Sequence, residues 1–314
     1  MIRFIWKWFV RLSVAVAAIL VVILSYAAVT NRPMPEHSFT QTDRPLVIAH
    51  RGGAAQWPEN TLYAFRNAIE SGADALEFDV HATSDGKLVV IHDATVDRTT
   101  DGSGRVDGMT WAALQELDAG YHWTPDDGAS FPYRGMGLKV PSLAEALSTL
   151  TDARMIIELK AVSNAARERF SHVIGASSNP ERKVIASFQG ESVKYIRDNN
   201  PGIATSSTAG EVLLFWVLNT ARLGFAFVPE GETMQVPPSF RDLTMVNERF
   251  VSGAHRHNVD VYVWTINEEA DMKRLIEHGV DGIITDYPDR LLSLLGRGPG
   301  QPEGDRTSEE PPGS

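Results

Sequence analysis

Ala75-Leu-Glu-Phe-Asp-Val80 reads as a buried strand with two charges in it. Ala75, Leu76, Phe78 and Val80 are apolar, and Glu77 and Asp79 interrupt them two residues apart. Residues i and i+2 of a strand point to the same side. Two carboxylates on one face of an apolar strand carry a large desolvation and repulsion cost unless a cation sits between them. A second apolar run, Leu88-Val-Val-Ile-His-Asp93, follows and ends in a histidine. Acids at one strand end and an imidazole at the next point to a metal-assisted acid/base site.

Outward from this stretch, strands and helices alternate. Apolar strands are expected at Leu46–His50, Ala75–Val80, Leu88–Asp93, Arg154–Lys160, Lys183–Phe188, Gly202–Ser206, Val259–Ile266 and Gly282–Asp286. Helical patterns fall at 61–71, 142–150, 164–176, 190–199, 245–257, 268–278 and 288–295, with Asn60 as the N-cap of the first and Gly72 as its stop. Eight apolar strands interleaved with helices predict a parallel β/α barrel. A doubly wound open sheet would carry a Gly-rich phosphate loop after its first strand, and His50-Arg-Gly-Gly53 is not one. The link 81–87 is too short for a crossover helix, so the second unit is expected to lack its helix. Residues 94–141 form an insertion after the third strand, read as a partly irregular lid.

The chain has 314 residues, no cysteine and a net charge of −11. The acidic balance argues against nucleic acid as a partner. The missing thiols exclude disulfides, thiolate metal sites and a cysteine nucleophile. Arg3, Lys7 and Arg11 are the only charges in residues 1–29, and Leu12 to Val29 is an uncharged run of membrane-spanning length. This predicts an N-terminal transmembrane helix with the catalytic domain extracytoplasmic, the basic residues staying inside. A cleaved signal peptide, leaving a secreted domain, is the alternative, since Ser25-Tyr-Ala27 resembles a small-x-small site. Without the three basic residues the net charge of −11 becomes −14 for residues 30–314. Such a domain face is not expected to be drawn electrostatically to anionic lipid. Residues 30–44 read as a linker holding the domain off the membrane, 45–295 as the barrel, and 296–314 as a disordered tail. Nothing in the sequence sets an oligomeric state.

In a barrel, the C-terminal ends of the strands converge on one mouth. There the sequence sets His50 and Arg51, Glu77 and Asp79, His92 and Asp93, Glu158 and Lys160, Trp264 to Asn267, and Thr285-Asp286. Three carboxylates without thiolates suit a hard cation, Ca2+ or Mg2+. Such a cation, with Arg51 and Lys160, would offset charge on a phosphoryl group. Two imidazoles supply a general base and a general acid. Trp264 would present a flat apolar wall to the substrate. Asn60 reads as a helix cap rather than a ligand, Glu59 as an orienting group, and Asp93 as a partner behind a histidine rather than a ligand. The remaining histidines, His81 among them, read as ordinary.

His50-Arg-Gly, Pro58-Glu-Asn-Thr61, Leu76-Glu-Phe-Asp79, Asp85-Gly86, His92-Asp93, Arg98-Thr-Thr100, Gly102-x-Gly104, Glu158-x-Lys160 and Trp264-Thr-x-Asn267, in this order, resemble the glycerophosphodiester phosphodiesterase family. The resemblance runs from residue 46 to about 293. It implies a (β/α)8 TIM barrel with an inserted segment after the third strand. It implies a divalent cation held by Glu77, Asp79 and Glu158, an acid/base pair in His50 and His92, and Arg51 and Lys160 near the phosphate. The implied reaction is attack by a substrate hydroxyl on its own phosphate, followed by hydrolysis of the cyclic product. The expected products are glycerol 3-phosphate and an alcohol. Lysophospholipase D-type cleavage of a lipid-derived diester at the same site is the alternative. A catalytically inactive barrel serving as a binding or envelope scaffold is the alternative from another class.

Val212-Leu-Leu-Phe-Trp-Val-Leu218 lacks the polar face of a barrel helix. It reads either as a helix covered by loops or as an apolar surface, led by Phe215 and Trp216, that touches lipid or an acyl chain.

Overall fold

The computed structural model describes residues 2–30, 32–42, 45–161, 163–241 and 243–297. The expected disordered tail lies outside the described residues from 298 onward. The strands are β1 (Leu46–His50), β2 (Ala75–Ala82), β3 (Leu88–Val90), β4 (Arg154–Leu159), β5 (Lys183–Ala186) and β6 (Ala204–Thr205). They continue with β7 (Thr233–Val236), the small hairpin β8 (Ser239–Phe240) and β9 (Leu243–Thr244), β10 (Asp260–Val263) and β11 (Gly282–Thr285). The helices are α1 (Ile2–Thr30), α2 (Leu62–Glu70), α3 (Trp111–Glu116), α4 (Leu143–Thr149) and α5 (Asn164–Gly175). After them come α6 (Gly190–Asn199), α7 (Ala209–Thr220), α8 (Glu248–His255), α9 (Glu269–Glu277) and α10 (Pro288–Leu294).

Eight strands run parallel round a ring in the order β1, β2, β4, β5, β6, β7, β10, β11, and β11 pairs back with β1. One parallel bridge, Ser206 to Thr233, closes the ring between β6 and β7. The strands are apolar because each is covered on both faces, by helices outside and by side chains within. The (β/α)8 expectation therefore stands, with one exchange of strands. The run at 88–93 makes β3, which is antiparallel to β2, with Val80 opposite Val90 and Ala82 opposite Leu88. The short 81–87 link is thus a hairpin turn around Asp85-Gly86, with Gly86 at φ +80°, and not a crossover that has lost its helix. The place in the ring is taken by Thr233–Val236. The insertion follows β3 as expected, and so lies between the second and third barrel strands. It has its own small core of Val89, Ile91, Val96, Val106, Leu114, Ala119 and Val140.

Three local expectations change. The cap of α2 is Thr61, whose Oγ accepts from the Ala64 N–H, and Asn60 sits outside the helix at φ +57°. Residues 32–42 are no free spacer. The Met34 N–H donates to His257 O, the Asn258 amide donates to Met34 O, and Phe39 is fully buried against Tyr262 in the floor of the barrel. In α7, Phe215 is a core residue, edge-on to Phe227 and Phe250, and Trp216 is half-buried against the same cluster. The exposed apolar residues of that helix are Leu213, Leu214 and Val217.

Leaving β1, Arg51, Gly52 and Gly53 all have positive φ, which turns the chain sharply back over the mouth. Gly52, at φ +84°, is also tightly enclosed: a Cβ there would lie 2.8 Å from the Phe65 ring and 2.9 Å from Ala64 Cβ. Gly52→Ala is expected to cost roughly 2–4 kcal/mol, from backbone strain and overpacking together. Urea denaturation of the two proteins measures the difference.

Candidate active site

Strand register brings the site together. His50 pairs with Glu77 across β1 and β2, and Asp79 pairs with Glu158 across β2 and β4. Along β2, Leu76, Phe78 and Val80 face outward into the core around Phe65. Ala75 faces the interior with Ile48 and Ile156. Glu77 and Asp79 share its side by the two-residue period, and stand above that apolar floor at the mouth. Glu77, Asp79 and Glu158 each offer an oxygen within 4.8 Å of the others.

The charges around them are partitioned. Asp79 is buried; it accepts from Asn60 Nδ2 at 3.2 Å and faces Lys160 Nζ at 3.2 Å and Arg51 Nε at 3.6 Å. Burial opposes ionisation of Asp79, but Lys160, His92 and Arg51 outweigh it and hold its carboxyl below the usual range. Glu158 is 2.9 Å from Lys160 Nζ, yet burial and the neighbouring Asp79 raise it overall. Glu77 accepts the Arg51 backbone N–H at 3.0 Å. Burial, then the charge of Asp79, pushes Glu77 up to about 8. Three acids so placed fit a hard divalent cation: all donors are oxygen, they converge, and one resists ionisation until positive charge arrives.

The two imidazoles approach from different sides. His50 Nε2 lies 3.9 Å from Glu77, while its Nδ1 is 2.6 Å from Asp286 Oδ1. Burial would lower the His50 imidazole, but the Asp286 bond and the Glu77 charge raise it above its ordinary value. Asp286 is itself held by Asn267 Nδ2 at 2.7 Å. His92 returns over the site because β3 runs back along β2, with the Ile91 N–H donating to Asp79 O at 3.0 Å. His92 Nδ1 bonds Asp93 at 2.7 Å. Arg98 then joins Asp93 to Glu59, donating to Asp93 Oδ2 at 2.7 Å and to both Glu59 oxygens at 2.7 and 2.8 Å. Arg51 completes the chain with a 3.0 Å bond to Glu59. Burial opposes ionisation of Asp93, but the Arg98 and His92 bonds bring it down to about 2. Trp264 stands over the rim, edge-on to the exposed Phe188, and Lys160 lies 5.8 Å from the Phe188 ring.

The residues singled out by sequence are thus all around one mouth. Others there have no catalytic or binding role assigned from the sequence. Asn60 bonds Asp79 and is not a cap. Asp286 and Asn267 hold His50. His81, read as ordinary, donates from Nε2 to the His92 carbonyl at 3.0 Å. Arg98 lies within a recognised motif, but its bridging position is visible only in three dimensions. Trp123, from the insertion, donates to Ala54 O at 3.0 Å and fastens the insertion to the loop after β1.

A ring of eight parallel strands, with acids, imidazoles and bases gathered at its C-terminal mouth, is a (β/α)8 enzyme. The profile of the glycerophosphoryl diester phosphodiesterase family matches residues 50–290. A glycerophosphodiester phosphodiesterase of Caldanaerobacter subterraneus is 33% identical over 260 residues, covering 81% of this chain and 99% of the relative. A putative glycerophosphoryl diester phosphodiesterase of Silicibacter pomeroyi has a similar solved structure, with TM-score 0.65 and 29% identity over 86% of this chain and 97% of that one. A phosphodiesterase of Oleispira antarctica, solved in complex with the product sn-glycerol-3-phosphate, has TM-score 0.66 and 26% identity over 82% and 98% of the two chains. The chain belongs to the glycerophosphodiester phosphodiesterase family, and is a phosphoric diester hydrolase.

Proposed function

We propose that this enzyme hydrolyses glycerophosphodiesters to glycerol 3-phosphate and an alcohol, with His50 and His92 as its acid/base pair. The observation that carries the reading is the convergence of Glu77, Asp79 and Glu158 between those imidazoles, with Lys160 and Arg51 alongside. Glu77, Asp79 and Glu158 would hold the divalent cation, Ca2+ or Mg2+, which when bound supplies charge stabilisation at the phosphoryl oxygens. Lys160 and Arg51 add fixed positive charge beside the same group. The substrate hydroxyl next to the phosphate loses its proton to one imidazole as its oxygen attacks phosphorus. The other imidazole gives a proton to the departing alcohol oxygen. The resulting five-membered cyclic phosphate is opened by water with the two histidines in exchanged roles. Asp286 and Asp93 each accept from the Nδ1 of one histidine and leave its Nε2 for the reaction. Trp264 and Phe188 form the wall for the carbon skeleton.

Residues 45–295 are the catalytic unit in this reading. The window Trp6–Ala27 is long and apolar enough to cross a membrane, and its composition fits an anchor or a signal sequence. We read it as an anchor with the barrel extracytoplasmic, because the basic residues precede the run. The exposed apolar residues of α7, Leu213, Leu214 and Val217, lie on the outer face of that helix, outside the ring of strands and not among the side chains gathered at the mouth. That separation favours small glycerophosphodiesters over acylated substrates.

The test is a panel of glycerophosphocholine, glycerophosphoethanolamine and lysophosphatidylcholine with Ca2+ or Mg2+, followed by assay of glycerol 3-phosphate. Release from the first two is expected. No glycerol 3-phosphate from either diester, with either cation, would sink the proposal. Asp286→Asn is expected to lower kcat about 10–100-fold and to move the His50 limb of the pH–rate profile to lower pH, since the carboxylate is what raises that imidazole. An unmoved profile would remove Asp286 from this role.

A further inference from the structure

We propose that the α7 flank and the cleft beneath it dock on the membrane that α1 crosses, with the cleft taking the phosphate headgroup of an anionic phospholipid. The proposal rests on reading α1 as a membrane span. Three observations meet at one place. First, α1 leaves its apolar window at Ala27, which is buried, and α1 packs on the turn Gly224–Ala226 that follows α7. The chain beyond is pinned at once, through Met34, to His257 and Asn258 at the end of α8. This end of the barrel therefore stands at the lipid–water boundary. Second, α7 exposes Leu213, Leu214 and Val217 on one face, spaced i, i+1 and i+4. Third, a cleft of about 410 Å³ between α7 and α8 is lined by Asn219, Arg222, Gly224, Phe225, Arg249 and Arg256.

The three arginines reverse locally the acidic balance of the domain. Arg222 follows the end of α7 and Arg256 caps α8. The buried Asn219 ties the two helices together by donating to Arg249 O at 3.0 Å. Guanidinium groups suit phosphate, with which they form bidentate bonds. Exposed leucines and valine beside such a cleft match the two layers a lipid offers, acyl chain and headgroup. A cation near an anionic surface gains stabilisation that adds over neighbouring arginines, so three of them favour anionic over zwitterionic lipid on the order of tenfold or more.

The full chain has no cysteine, so single labels can be placed cleanly. Leu213→Cys and Glu70→Cys, the latter on α2 across the ring, carry a fluorophore in vesicles of phosphatidylcholine with or without phosphatidylglycerol. Alkaline carbonate extraction reports the span separately. The expected result is a chain that resists carbonate, with iodide quenching at position 213 about fivefold weaker than at 70. Phosphatidylglycerol should co-purify in preference to phosphatidylcholine. The Arg222→Gln/Arg249→Gln/Arg256→Gln variant should lose that preference, and the corresponding three Lys substitutions should retain most of it. Equal quenching at 213 and 70 in a carbonate-resistant chain overturns the docking flank and leaves the span standing. Unchanged phosphatidylglycerol retention in the triple Gln variant overturns the headgroup cleft. Release by carbonate overturns the span and the proposal with it.

Discussion

His50→Ala and His92→Ala are each expected to lower kcat by about 10³-fold, with circular dichroism and melting temperature close to those of the unaltered enzyme. The magnitude follows from removing one proton-transfer partner while the cation site and the bases remain. The surroundings of the two imidazoles differ. His50 is held by Asp286 and faces Glu77, and those neighbours raise its imidazole. His92 is held by Asp93, which Arg98 also engages. His50→Ala should therefore erase the limb of the pH–rate profile that the raised His50 imidazole sets. If one imidazole acts only in the second step, its loss should accumulate the cyclic phosphate, which phosphorus NMR resolves from the ring-opened product. A variant that keeps the full rate would take that histidine out of the acid/base pair. Folding is expected to survive, since both imidazoles are partly solvent-exposed at the mouth and neither packs in the main core clusters.

Why the site was easier to see in the sequence than parts of the barrel is a matter of what each feature costs. Glu77, Asp79 and Glu158 stand out because a carboxylate inside an apolar run is strongly destabilising in a fold that does nothing with it. The spacing of two between Glu77 and Asp79, and between Glu158 and Lys160, is a local property that survives in one dimension. Strand direction is not local. Leu88-Val-Val90 has the same apolar pattern in a hairpin as in a parallel strand, and only the Asp85-Gly86 turn signals the reversal. Thr233-Met-Gln-Val236 is four residues long, holds two polar side chains and abuts Pro237-Pro238, so periodicity gives it no weight. Asn60 looks like a cap because it precedes a helical pattern, but Thr61 is equally able to cap and takes that place. This frees Asn60 to bond Asp79. Asp286 is 236 residues from His50 in sequence, and His81 meets His92 only through a backbone carbonyl. Such contacts depend on tertiary placement and leave no mark in spacing. The apolar run in α7 misled in its details for a similar reason. Phe215 and Trp216 are its largest side chains, and large side chains are the ones that packing claims first.

Stripping the divalent cation is expected to abolish turnover, and Glu77→Gln should reproduce that loss while making the metal-free protein more stable. In the metal-free chain Glu77 keeps its proton up to about 8, because burial and Asp79 oppose its ionisation. An unfolded chain gives up the same proton near the ordinary glutamate value. Between the two values, rising pH favours the unfolded chain, so metal-free stability should fall as pH rises through that window. The amide introduced by Glu77→Gln carries no titrating proton and can still accept the Arg51 N–H, so the substitution should recover roughly 1–3 kcal/mol at neutral pH. Cation binding acts in the opposite sense. It requires Glu77 ionised, so binding below pH 8 should release close to one proton, and affinity should weaken about tenfold for each pH unit lowered. Calorimetry with Ca2+ and Mg2+ in two buffers of different ionisation enthalpy measures that proton. Melting curves of both proteins at pH 6 and pH 8, with and without cation, measure the rest. The unaltered chain should gain more from the cation than Glu77→Gln does at either pH, and should show the larger loss of metal-free stability between them. Equal shifts in the two proteins, or binding without proton release, would place the cation elsewhere than among Glu77, Asp79 and Glu158.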